Sequence, residues 1–138
     1  MATDDGMRGS TGRGLTGGAL ALIAAGCGGG GDAEVARRLA ALPPTPAEHR
    51  AGEQLYDRNC AGCHGTHARG TDKGPPLAHR VYVPGHHSDQ AFYLAARNGV
   101  AAHHWRFGNM PPQPQVSAAD ISAIVRYVRW VQREAGVY

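Results

Sequence analysis

The stretch that most limits what this chain can fold into is Cys60-Ala61-Gly62-Cys63-His64. Two thiols three positions apart on the last turn of a helix can each add to one vinyl group of the same porphyrin. The adjoining imidazole then reaches the iron from beneath, so the C-x-x-C-H pattern reads as covalent attachment of a c-type haem. Further along, Met110 stands in Gly108-Asn109-Met110-Pro111 and offers a second axial ligand. A His/Met pair holds iron at a raised potential suited to electron transfer.

Other uses of the two thiols carry less of the pattern. Structural zinc takes four Cys/His ligands, usually from a second paired motif, and the remaining cysteine, Cys27, lies in a segment that reads as a targeting signal. A thioredoxin-like dithiol wants a βαβ context, which this chain lacks. A five-residue motif also turns up by accident.

From about Glu48 to Ala135 the order of motifs resembles a class I cytochrome c: a helix running into C-x-x-C-H, then Gly74-Pro75-Pro76-Leu77, then a Met-Pro loop, then an amphipathic helix. The resemblance implies an all-α fold, three main helices wrapped around one covalently attached haem c. It also implies that the Pro75 carbonyl accepts a hydrogen bond from His64 Nδ1–H, as partners of metal-ligating histidines do, and that Leu77 packs on the haem. In the family a small residue and an aromatic at the positions of Gly52 and Tyr56 let the last helix cross closely. The competing view of Gly52 is an exposed helix weakened by about 1 kcal/mol.

Local signals place the elements. Thr45-Pro46-Ala47-Glu48 reads as a helix start, with Thr45 as N-cap and Glu48 closing a capping box, and the helix runs to about Asn59. Ser88 is expected to cap a second helix that Gly99 stops, and Ser117-Ala118-Ala119-Asp120 opens the last. In that helix Ile121, Ile124, Val125, Val128 and Val131 form one apolar stripe, with Arg126, Arg129 and Arg133 facing elsewhere and Tyr127 or Trp130 expected against Gly52 and Tyr56. Trp105 and Arg106 carry N–H donors suited to haem propionates; packing for the indole and solvation for the guanidinium compete evenly with that role.

The folded domain is expected over residues 45–138, a single unit. Residues 27–44 read as a flexible tether with a short helix, Asp32 to Leu42, ending at Pro43-Pro44. Residues 1–26 read as an export signal, with Arg8 and Arg13 before a short apolar stretch; a start at Met7 would remove Asp4 and Asp5 from its charged end. Ala24-Ala25-Gly26-Cys27 resembles a bacterial lipobox, although leucine is more usual where Ala24 stands. Lipidation of Cys27 would anchor the protein to a membrane, and plain cleavage after Gly26 is the alternative. Either way the haem domain is expected outside the cytoplasm, in the periplasm.

The net charge is +3 and no basic run interleaved with aromatics is present, which argues against a nucleic-acid partner and hints at an acidic one. Eight histidines are more than the motif needs. The pairs His86-His87 and His103-His104 invite a second-metal reading, since imidazole suits copper or zinc. Adjacent loop histidines that point apart into water are the plainer reading, and a histidine displacing Met110 from the iron is a third.

With both axial positions filled no substrate reaches the iron. The expected function is therefore single-electron transfer between redox proteins, such as an oxidase, reductase or dehydrogenase, rather than enzymatic turnover. A peroxidase or gas sensor with a labile sixth ligand, and a copper-handling protein using the histidine pairs, stay open.

Overall fold

A computed structural model describes residues 30–138. The signal reading, Cys27 and the possible start at Met7 lie outside the described residues. Five α-helices follow in order: α1 Gly30–Ala40, α2 Ala47–Asn59, α3 Ala61–His64, α4 Asp89–Asn98 and α5 Ala118–Glu134. Single 3-10 turns span Thr66–Ala68 and Arg80–Tyr82. Among the described residues the one β-type pairing is an isolated antiparallel bridge, Val100 to Met110.

The core is the crossing of α2 and α5. Tyr56, Tyr127, Val128 and Val131 are shielded from solvent completely, and the Tyr56 and Tyr127 rings lie 5.5 Å apart. Gly52 makes the approach possible: a Cβ there would overlap the Ala123 carbonyl oxygen and come within 3.0 Å of Tyr127 Cβ. The glycine thus costs α2 some intrinsic stability and returns it as helix-to-helix contact. Tyr127, with the backbone of Ala123, is what meets this face; Trp130 instead stacks on His49 at 5.9 Å.

α5 is held at its start by a reciprocal capping box, Ser117 Oγ accepting from Asp120 N–H and the Asp120 carboxylate accepting from Ser117 N–H. The corresponding expectation for α2 is corrected. Its N-cap is Pro46, and the Thr45 hydroxyl donates instead to Glu53 Oε1 at 2.7 Å, two turns along. Ser88 occupies the N-cap of α4 without a side-chain bond to the helix, and Gly99 (φ 75°) ends it.

Two further expectations change. α1 is not a loose arm: Leu39 is buried in the same cluster as Tyr56 and Val131, with Val35 and Leu42 packed against it. The Leu39 side chain finds apolar neighbours on the domain, and burying a leucine is worth about 2 kcal/mol, enough to hold a short helix down. Arg129, expected to face away, is 6% exposed. Its guanidinium donates to Asp89 Oδ1 at 2.8 Å, to the Tyr82 carbonyl, to Gln132 Oε1 at 2.8 Å and to the His87 carbonyl at 2.6 Å, and it lies 4.8 Å from the centre of the Phe92 ring.

Candidate haem site

α2 does not stop at the motif so much as turn a corner in it. Cys60 (φ −122°, ψ −36°) is at once the C-cap of α2 and the N-cap of α3. Its N–H still bonds Tyr56 O at 2.7 Å, and its carbonyl accepts from Cys63 N–H at 3.1 Å and His64 N–H at 2.9 Å. The two thiols and the imidazole therefore share one helical turn. Both cysteines are free, Cys60 half-buried and Cys63 exposed. Burial, and after it the neighbouring Cys63, pushes the Cys60 thiol up to about 11.

The segment after His64 folds back onto it. Gly65 turns the chain at φ 73°, where a Cβ would strike the Gly70 carbonyl, and the buried Tyr56 hydroxyl donates to Gly65 O at 2.8 Å. Gly70 N–H bonds His64 O at 2.6 Å, the Thr71 hydroxyl bonds Cys63 O, and a Cβ on Gly74 would sit 3.1 Å from Cys63 Cβ. The loop delivers the Pro75 carbonyl to 2.9 Å from His64 Nδ1. A carbonyl can only accept, so Nδ1 carries the proton and Nε2 keeps its lone pair. Burial lowers the His64 pKa, with the Pro75 bond pulling the other way; a neutral imidazole is the ligand form.

Met110 is positioned by backbone. Val100 and Met110 exchange both N–H···O bonds at 2.9 Å, Gln113 N–H bonds Ala96 O at 2.7 Å, and Ala102 N–H bonds Asn109 Oδ1 at 2.9 Å. At Gly99 the Pro112 ring comes so close that a Cβ would lie 3.0 Å from its Cδ. The loop that ends in Met110 is thus closed at its base on α4. Leu77 is half-buried and packs against the core cluster, its carbonyl accepting from Gln132 Nε2 at 2.7 Å.

The donor set fits a covalently held haem: two free thiols on one turn, a neutral imidazole with a committed Nδ1, and a thioether on a pinned loop. The Trp105 indole N–H donates to Tyr82 Oη at 3.1 Å and its ring meets His79 edge-on at 5.0 Å, the contacts that the packing alternative describes. Arg106 remains exposed. The surplus histidines are not splayed. His86, His87 and His104 each present a ligand atom within 4.8 Å of the others, and His103 lies alongside, 4.3 Å from His104 between ring centres.

Sequence reasoning missed Arg129 and Gln132, which together hold the carbonyls of Leu77, Tyr82 and His87. A signal existed. Each stands four residues after a stripe valine, Val125 and Val128 respectively, on the buried side of α5.

A match to the Cytochrome c family spans residues 49–132. The subunit CcoP of a cbb3-type cytochrome c oxidase from Rubrivivax gelatinosus is 30% identical over 96 residues, which make up 68% of this chain and 29% of that protein. The chain therefore spans under a third of the length of the curated relative it matches. No solved structure matches. A helical frame, the C-x-x-C-H turn it carries and a family match that covers most of the folded residues agree, and the chain belongs to the cytochrome c family, electron-transfer proteins with covalently bound haem c.

Proposed function

We propose that this chain is a one-haem electron carrier in which Cys60 and Cys63 form the thioethers and His64 Nε2 and Met110 Sδ are the two axial ligands. The observation that carries this is the 2.9 Å bond from His64 Nδ1–H to the Pro75 carbonyl, which fixes tautomer and ring direction as a metal-binding histidine requires. Bound haem supplies one-electron redox chemistry at its iron. The residues around it orient and restrain: Pro75 aims His64, the Val100 bridge holds Met110, and Pro111 and Pro112 limit the backbone conformations from which the thioether could swing away. With both positions committed the chain moves electrons and does not turn over a substrate. Leu77 and Arg106 are the neighbours proposed for the haem face and a propionate.

Met110→Ala tests the ligand set. In the ferric protein the weak far-red sulfur-to-iron band should vanish, the reduced protein should bind carbon monoxide, and the potential should fall by on the order of 100 mV. An unchanged spectrum in the variant would sink the Met110 assignment.

The partner proposed is a redox protein outside the cytoplasm, an oxidase assembly in the first place. The similarity to an oxidase subunit supports this, and the net charge of +3 suits an acidic docking face. No helix among the described residues is long and apolar enough to cross a membrane; attachment is proposed through acyl chains on Cys27, with residues 1–26 removed on export. Mass spectrometry of the mature protein should show a lipidated Cys27 at the N-terminus. A mature chain with an unmodified cysteine there would end the anchor proposal and leave the carrier reading intact.

A further inference from the structure

Among the described residues, one group of side chains apart from the haem turn is arranged as ligands. His86 and His87 lie just before α4, His104 in the loop that ends at Met110, and the fold brings them together across eighteen positions of sequence. His86 Nε2 and His104 Nε2 are 3.4 Å apart. That is long for a hydrogen bond between two ring nitrogens. It is the separation of two ligands on one ion, since nitrogens bound tetrahedrally at 2.0–2.1 Å lie about 3.3 Å from each other.

The third histidine is oriented as metal-binding histidines are. His87 Nδ1 sits 2.6 Å from the Val81 carbonyl, so Nδ1 donates and Nε2 is left with its lone pair. The backbone beneath it is tied to α5, because Arg129 donates to the His87 carbonyl at 2.6 Å. His103 Nδ1 likewise bonds a carbonyl, that of Ala101 at 2.9 Å, but its ligand atoms stand outside the set that converges. His86 and His104 are exposed and His87 half-buried, leaving one side of the group open to water.

We propose that His86, His87 and His104 form a binding site for one copper(II) or zinc(II) ion, separate from the haem, with a fourth position open to solvent. Three neutral imidazoles and no carboxylate favour these borderline cations over magnesium or calcium, which take oxygen ligands. An ion held there ties the segment before α4 to the loop that closes on Met110. Binding to the folded chain alone raises its stability by mass action, so the thermal midpoint rises with metal and the amides of the 100–105 stretch exchange more slowly.

The test uses tag-free, haem-loaded protein stripped with chelator and titrated with zinc(II) by calorimetry, and with copper(II) followed by electron paramagnetic resonance. One equivalent should bind at micromolar concentration or tighter, with nitrogen hyperfine structure on the copper signal. His86→Ala and His104→Ala, both at exposed positions, should each weaken binding at least about tenfold, with the haem spectrum and metal-free midpoint unchanged. His103→Ala should bind as the parent does. Absence of a stoichiometric site, affinity unaffected by His86→Ala and His104→Ala, or a loss in His103→Ala equal to that in His104→Ala would overturn the three-histidine assignment.

Discussion

Serine at both Cys60 and Cys63 is expected to give a protein without covalent haem that has lost roughly half or more of its far-ultraviolet helix signal. The reason lies in how unevenly the chain buries itself. α5 supplies most of the buried side chains and α2 one, Tyr56, whereas α4 contributes none. A helix of its length is marginal in water without tertiary support, and Phe92, Val100 and Met110 are only half-buried. The porphyrin is the apolar surface large enough to complete that side, as small domains commonly need a cofactor. Circular dichroism of the haem-free variant reads this directly. Near-native ellipticity with a cooperative thermal transition would show that the polypeptide packs unaided.

Arg129→Met should cost about 3 kcal/mol, seen as a thermal midpoint lower by on the order of 10 °C. The chain length and apolar bulk are kept, so the loss reports the guanidinium. Without it the carbonyls of Tyr82 and His87 and the Gln132 amide oxygen lose a donor, and an unsatisfied buried acceptor costs about 1–3 kcal/mol. Lysine should rescue little, because a point charge cannot replace the fork that reaches several acceptors at once. Asp89→Asn separates network from ion pair: the Asp89 side chain is 70% exposed, and an exposed pairing is worth about 0–1 kcal/mol. If Asp89→Asn cost as much as Arg129→Met, the charge pair and not the carbonyls would be holding the 77–87 segment.

Much of the frame was legible because its signals are local. The C-x-x-C-H turn, the Ser117/Asp120 box, the Gly99 stop and the apolar stripe of α5 each depend on residues within a turn or two of one another. Gly52 was legible through the resemblance, which implied a close crossing at the positions of Gly52 and Tyr56, and the crossing is there. Thr45 shows the limit of local signals. The motif for a capping box was present, yet the helix takes Pro46 as its N-cap, which leaves Thr45 one position too early for its oxygen to accept from the first turn, and its hydroxyl donates to Glu53 instead.

The sequence by itself determined the covalent chemistry, the helical frame and the pairing of His64 with Pro75, all properties of short-range spacing or of a family order of motifs. Tertiary structure alone decided which polar groups are buried and what meets what across long separations. Arg129 is tolerated inside because carbonyls more than forty positions away converge on it, Trp105 turns to Tyr82, Leu39 brings α1 onto the domain, and two histidine pairs close on one another. None of these follows from neighbours in the chain. Burying a charge or clustering like groups is unfavourable until distant partners are already in place, and only the folded backbone puts them there.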